Sequence, residues 1–193
     1  MIIIQTPENR AGPRVCALGV FDGVHLGHRK LLETGIKIAR QQGILLRACT
    51  FDPHPLTVIA PERAPKMLTT LQEKAALMAA LGVDELQVIP FSRQVAEMAP
   101  AAFLSQLRQW MDLRVVVVGW NYTFGWRGQG TPETLAEDGR LHGYKVTVIP
   151  PVTTDQGQVI SSSSVRSCLR SDDRAGAEAL LGHAISASDG MDG

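Results

Sequence analysis

Gly19-Val20-Phe21-Asp22-Gly23-Val24-His25-Leu26-Gly27-His28 is a glycine-rich turn with two histidines, set between an apolar run and a segment of helical periodicity. Residues 15–20 are almost uninterruptedly apolar, as a strand buried on both faces would be. After the turn, Leu31, Leu32, Gly35, Ile36 and Ala39 recur at helical spacing, and Gly43 is the expected C-cap of a helix over 28–42. Strand, tight turn and helix in that order place unpaired N–H groups and the positive end of a helix dipole at the turn, which suits phosphate. Glycines at 19, 23 and 27 let the backbone bend and a ligand approach it. His25 and His28 are three residues apart, so near a helix start their rings point roughly the same way. Zinc is the competing reading for such a pair, but no third ligand accompanies it: Cys16 lies on the incoming strand, and Asp52 and His54 belong to another loop.

Outward from the turn, strands and helices alternate. Residues 2–5 read as a short edge strand followed by a loop over 6–13. A second strand over 44–51 runs into Asp52-Pro53-His54-Pro55, where two prolines bar either a strand or a helix from continuing. Thr70 and Glu73 form a capping box for a helix carrying Leu71, Ala75, Leu77, Met78 and Leu81, closed by Gly82. Strand 85–90 and helix 100–111, with Pro100 in its first turn, lead to strand 114–119 and its four consecutive valines. That strand opens into Trp120-Asn121-Tyr122-Thr123-Phe124-Gly125, then a helix over 131–138 and a strand over 144–149. The serine-rich segment Ile160-Ser161-Ser162-Ser163-Ser164-Val165-Arg166 caps the first of two short terminal helices, whose apolar side is Leu169, Ala177, Leu180 and Leu181. Residues 186–193 are a small, polar tail expected to fray. The expectation is an α/β domain over residues 1–185, with a mostly parallel five- or six-stranded sheet and helices on both faces. In such a sheet, ligands bind outside the carboxyl ends of the strands.

Composition narrows the class. The chain has 193 residues, long enough for one sizeable domain, and its nineteen basic and nineteen acidic residues balance with no block of like charge. That balance argues against a nucleic-acid or membrane-surface binder. Apolar runs such as 115–118 are far too short to span a bilayer, and Met1-Ile2-Ile3-Ile4 lacks the charged start of a signal peptide, so a cytoplasmic protein is expected. Cys16, Cys49 and Cys168 lack CxxC spacing and read as small core residues. Oligomeric state is not legible.

The turn at 19–28 resembles the first signature of the nucleotidylyltransferase superfamily marked by His-x-Gly-His. With Phe-Asp-Gly-Val ahead of the histidines, it resembles the FMN adenylyltransferase module of bacterial FAD synthetases. Residues 160–166 resemble the second signature, Ile-Ser-Ser-Thr-x-x-Arg, with Ser163 replacing threonine and keeping its hydroxyl. Residues 50–55 resemble Thr-Phe-x-Pro-His-Pro, and 119–125 resemble Gly-x-(Asn or Asp)-(Phe or Tyr)-x-Phe-Gly; all four segments stand in the family's order.

The resemblance implies a Rossmann-like nucleotidylyltransferase fold and adenylyl transfer: the phosphate of FMN attacks the α-phosphorus of ATP, FAD forms and pyrophosphate leaves. It implies ATP contacts at Gly19, Phe21, Asp22, Gly23, His25, His28, Ser161, Ser162, Ser163 and Arg166. Within that set His25, His28 and Arg166 are catalytic, His28 acting on the transferring group and Arg166 on the β- and γ-phosphates. It implies flavin contacts at Phe51, Pro53, His54, Asn121 and Phe124, and Mg²⁺ arriving with ATP on protein ligands the sequence does not identify. The family usually continues after a Leu-Leu-Gly segment into a riboflavin kinase domain; here Leu180-Leu181-Gly182 stands near the end, so no kinase domain is expected. Two alternatives remain: a sister adenylyltransferase for another phosphorylated acceptor, and a non-catalytic flavin- or nucleotide-binding paralogue. The segments at 51–55 and 121–125 weigh against the first, and the intact histidines and arginine against the second.

Overall fold

The four valines at 115–118 face two different cores in turn. In the computed structural model, which describes residues 1–5 and 12–185, Val115 and Val117 pack on one side of a sheet and Val116 and Val118 on the other. The expected tail at 186–193, and most of the loop expected at 6–13, lie outside the described residues. The strands are β1 (Ile2–Ile4), β2 (Pro13–Leu18), β3 (Leu45–Asp52), β4 (Glu85–Pro90), β5 (Asp112–Gly119) and β6 (Lys145–Ile149). The helices are α1 (Leu26–Gln42), α2 (Pro55–Ile59), α3 (Leu71–Leu81), α4 (Arg93–Ala96), α5 (Pro100–Trp110), α6 (Pro132–His142), α7 (Ser162–Arg170) and α8 (Arg174–Leu181).

The six strands lie in the order β1-β4-β3-β2-β5-β6, and every pairing is parallel. Leu31, Leu32 and Ala39 of α1 share one core with Ala75 and Met78 of α3. Phe103, Leu104 and Leu107 of α5 share the other with Leu135 of α6. A third cluster joins α7 and α8 through Val165, Ala177, Leu180 and Leu181. Continuous apolar strands follow from this sandwiching, since both faces are covered. From β2 the chain builds β3 and β4 to one side, then returns to lay β5 and β6 on the other. The order therefore reverses between β2 and β5, and the crevice above their carboxyl ends is where an open α/β sheet takes its ligands.

Local chemistry sets the boundaries. Gly43 and Gly82 close α1 and α3 in the left-handed region, and Thr70 and Glu73 complete the reciprocal cap that begins α3. The stretch after β3 departs from expectation. Pro55 does not merely break the chain; it opens α2, with His54 as N-cap, because a first-turn residue needs no N–H. Helix α6 runs past Asp138 to His142 and ends at Gly143.

Helix α6 comes so close to the start of β6 that a Cβ on Gly139 would sit 2.5 Å from the carbonyl oxygen of Tyr144. Ordinarily Gly→Ala inside a helix gains about 1 kcal/mol. Here backbone must move instead, so Gly139→Ala should destabilise the protein by about 1–3 kcal/mol. Thermal melts check this: a fall of several degrees is expected, and a rise would show that α6 can slide without cost.

Candidate active site

The turn after β2 is strained. Phe21 and Val24 occupy the left-handed region at φ 55° and 40°, and Gly23 lies between them at 78°. A phenylalanine and a β-branched valine there cost about 1–3 kcal/mol each, so the surroundings must hold them. Buried Asp22 does much of the holding: it accepts hydrogen bonds from Leu68 N at 3.0 Å and Thr69 N at 3.3 Å and forms an ion pair with Arg166 of α7. Gly23 N donates to Thr69 Oγ1 at 3.1 Å, and Ser162 Oγ donates to the Asp22 carbonyl at 3.0 Å. The ring of His183 meets the Gly23 carbonyl at 2.9 Å. The turn is therefore clamped from the segment before α3, from the start of α7 and from beyond α8.

His25 is the N-cap of α1, its Nδ1 accepting from His28 N at 3.3 Å. A neutral imidazole that accepts at Nδ1 carries its proton on Nε2 and can donate from there. The two rings stack with centroids 3.6 Å apart, and the edge of Phe21 meets His28 at 5.3 Å. Burial, helped by the charge of Arg166, pulls the His25 pKa down to about 4. Burial also pulls His28 well below the ordinary value, with His25 and Lys74 adding to the shift. Both imidazoles are neutral at pH 7, hydrogen-bonding groups beside a helix start rather than charges.

Beside them opens a cavity of about 780 Å³ bounded by Gly19, His28, Phe51, Asn121, Phe124 and Trp126. One wall is Val58 and Ile59 of α2; another is the loop after β5. Phe51 meets Phe91 edge-on at 5.1 Å. Asn121 is exposed at the cavity. Phe124 is only 5% exposed, packed against Phe103 and Tyr122 with ring centroids 5.5 and 5.8 Å away. It is foundation as much as lining. Pro53 is exposed, and His54 turns its Nδ1 to cap α2 at Leu56 N, 3.2 Å away, so the wall here is made by Phe51 and Pro55. His54 also feels the charges of Asp22 and Arg166, which places it toward the histidine side.

Gly19, Phe21, Asp22, Gly23, His25, His28, Ser162 and Arg166 thus gather at the carboxyl edge of β2. Ser161 is the N-cap of α7 and shares reciprocal bonds with Ser164, at 3.2 and 2.9 Å, while Ser163 is exposed. Ser164 was not singled out from sequence. Nor was Lys74, 3% exposed, whose Nζ donates to the Val20 carbonyl at 2.8 Å. Its signal was a charge on the apolar stripe Leu71, Ala75, Met78. Trp126, exposed with the Arg127 guanidinium 4.7 Å over its ring, was also missed; an exposed tryptophan just after a glycine loop was the clue.

The profile of the family described as FAD synthetase matches residues 8–164. A bifunctional riboflavin kinase/FMN adenylyltransferase of Listeria monocytogenes is 38% identical over 93% of this chain and 57% of its own length. A protein named FAD synthetase from the same organism is 33% identical over 94% of this chain and 73% of its own. The chain thus spans little more than half of the bifunctional relative. A crystal structure from Streptococcus pneumoniae, described as a macrolide-efflux protein, superposes with a TM-score of 0.83 at 27% identity, over 96% of this chain and 63% of that one. Among the described residues of this protein no helix is long and apolar enough to cross a membrane.

The low pKa of His25 makes stability depend on pH. An unfolded histidine titrates near 6.5, and the folded one near 4, so between these values the unfolded chain binds the extra proton and stability rises with pH. The contribution is whole above about pH 6.5 and is lost as pH falls through 4, by up to about 3 kcal/mol. His25→Asn keeps a capping acceptor and removes the titration. Urea melts from pH 4 to 7 should show a shallower slope for the variant; equal slopes would mean His25 is not buried as a neutral ring.

Proposed function

The chain belongs to the FAD synthetase family, and on that premise we propose that it transfers AMP from ATP to FMN, releasing FAD and pyrophosphate. The observation that carries the reading is that two chemically unlike settings at the carboxyl edge of β2 meet at His28. On one side two helix starts, those of α1 and α7, converge on the strained turn, where Arg166 of α7 pairs with Asp22, a setting for polyphosphate. On the other lies the aromatic cavity, large enough for a flavin ring.

Transfer of an adenylyl group needs alignment and charge neutralisation more than a protein nucleophile. The phosphate of FMN, carried in from the cavity side, displaces pyrophosphate from the α-phosphorus in line. The turn at Gly19, Phe21 and Gly23 lets the triphosphate approach the backbone closely, and the cap residues Ser161 and Ser162 set the start of α7 toward it. His28, at the junction, donates to the oxygens of the transferring group, and His25 backs it. Ser163 stands at the exposed start of α7, within the same N-terminal turn. Arg166, whose planar fork suits paired oxygens, clamps the β- and γ-phosphates as they leave. The flavin rests on Phe51 and Asn121 above Phe124, with Pro53 and His54 at the approach.

Among the described residues no group of three His, Cys, Asp or Glu side chains makes a metal cage, and Asp22 is committed to Arg166 and two amides. These side chains do not form a magnesium site of their own; Mg²⁺ enters on the nucleotide, where it offsets phosphate charge. The reaction is placed in the cytoplasm, where ATP and FMN are at hand.

The test is to incubate the protein with FMN, ATP and Mg²⁺ and separate the flavins by chromatography. FAD should form. His28→Ala should lower kcat/KM on the order of 10²-fold, as loss of one preorganised donor does, with little change in melting temperature. No FAD in a sample that binds ATP would favour a non-catalytic binder, and adenylylation of a pantetheine or nicotinamide nucleotide would favour a sister enzyme.

A further inference from the structure

Helix α3 buries a charge that the fold does not need. Lys74 is 3% exposed, and its Nζ donates to the Val20 carbonyl at 2.8 Å and reaches Thr50 Oγ1 at 3.4 Å. A buried ammonium is costly unless a carboxylate pairs with it. Among the described residues none forms an ion pair with Lys74; Asp22 and Asp52 act on it only at longer range. Asp22 is already neutralised by Arg166, and Asp52 is exposed, where water screens its charge. The hydrogen bonds do not require the lysine either, because the Val20 carbonyl also accepts from Thr50 Oγ1 at 2.8 Å. Methionine here would bury the same stem, leave that carbonyl satisfied and desolvate no charge. Stability alone gives no reason for a cation at 74.

Position gives one. Val20 is the residue before the strained turn, so the ammonium sits directly beneath the crevice. Its field reaches His28 and His54. The groups around it are the neutral rings of His25 and His28, the Asp22–Arg166 pair and water-screened Asp52, which among the described residues leaves Lys74 as an uncompensated charge at the turn.

Resting on the adenylyl-transfer reading, we propose that Lys74 is the fixed positive charge of the nucleotide subsite. It is a positioning residue that draws a nucleoside polyphosphate to the turn through its field. Buried charges are screened less than exposed ones, so a single ammonium a few ångströms from a polyphosphate changes affinity about ten- to a hundredfold.

Calorimetric titration of Lys74→Met and Lys74→Arg with ATP, adenosine and FMN tests this, with ligand-free melting temperature as a second readout. For Lys74→Met, ATP should bind about ten- to a hundredfold more weakly, FMN, with its single phosphate, should weaken less, and adenosine, which has no phosphate, should bind as before. The ligand-free melting temperature should stay level or rise, since an unpaired buried charge has gone. Lys74→Arg, which keeps the charge, should recover most of the ATP affinity. Unchanged ATP binding in Lys74→Met would overturn the proposal. Equal weakening of ATP and adenosine, a sharp fall in melting temperature, or failure to fold would overturn it too, by showing a structural lysine. Wild-type protein that bound ATP no better than adenosine would instead overturn the adenylyl-transfer reading itself.

Discussion

The carboxylate of Asp22 is the constraint on which the crevice depends. It is 2% exposed and ties together parts of the chain separated by 46 residues at Leu68 and 144 residues at Arg166. Those partners, together with burial of Phe21 and Val24 in the core beside α1, hold the two residues in the left-handed region. The interaction also neutralises two charges at once, which matters because a buried carboxylate or guanidinium left alone is strongly destabilising. The sheet supplies the position, the reversal of order between β2 and β5, and Asp22 supplies the shape of the turn that occupies it.

That division separates two kinds of work. Most of the apolar burial lies in the two cores on either side of the sheet, and one of them takes in Phe21 and Val24 of the strained turn itself. The edge then holds groups chosen for their fields and hydrogen bonds: neutral imidazoles kept neutral by burial, two helix starts, a guanidinium and a buried ammonium. In the proposed reaction Arg166 has a partner already, since it holds Asp22 and donates to the Lys66 carbonyl at 2.8 Å. A polyphosphate must therefore share or exchange those contacts, which links the arrival of nucleotide to the segment between α2 and α3.

Much of this was legible in the sequence for identifiable reasons. Both-face burial made β2 and β5 read as unbroken apolar runs, and the capping box at Thr70 and Glu73 and the glycines at 43 and 82 marked helix ends within a residue or two. The spacing of His25 and His28 foretold rings pointing roughly the same way, and in the structure they stack. What escaped depended on tertiary context. Proline at 55 signals both a strand's end and a helix's beginning, and only the His54 cap decides between them. Lys74 was passed over because periodicity weighs apolar residues, and a lysine on the apolar stripe looks like an interruption. Phe124, a flavin contact on the family resemblance, lines the cavity, and what the sequence does not show is that its ring is also packed into the core, where the close approach of Gly130, whose Cβ would fall 2.6 Å away, makes room for it. Ser163 and Ser164 cannot be told apart by residue type; the helix register alone makes Ser164 the reciprocal cap.

The central claim is that the crevice aligns two phosphates for direct transfer, with no group of the protein carrying the adenylyl moiety in between. Stereochemistry at the α-phosphorus tests it most directly. ATP bearing a chiral α-thiophosphate would be turned over with FMN and the configuration of the resulting FAD analogue determined. A single in-line displacement predicts inversion. Retention would mean two successive displacements through a covalent enzyme intermediate, and would contradict the account.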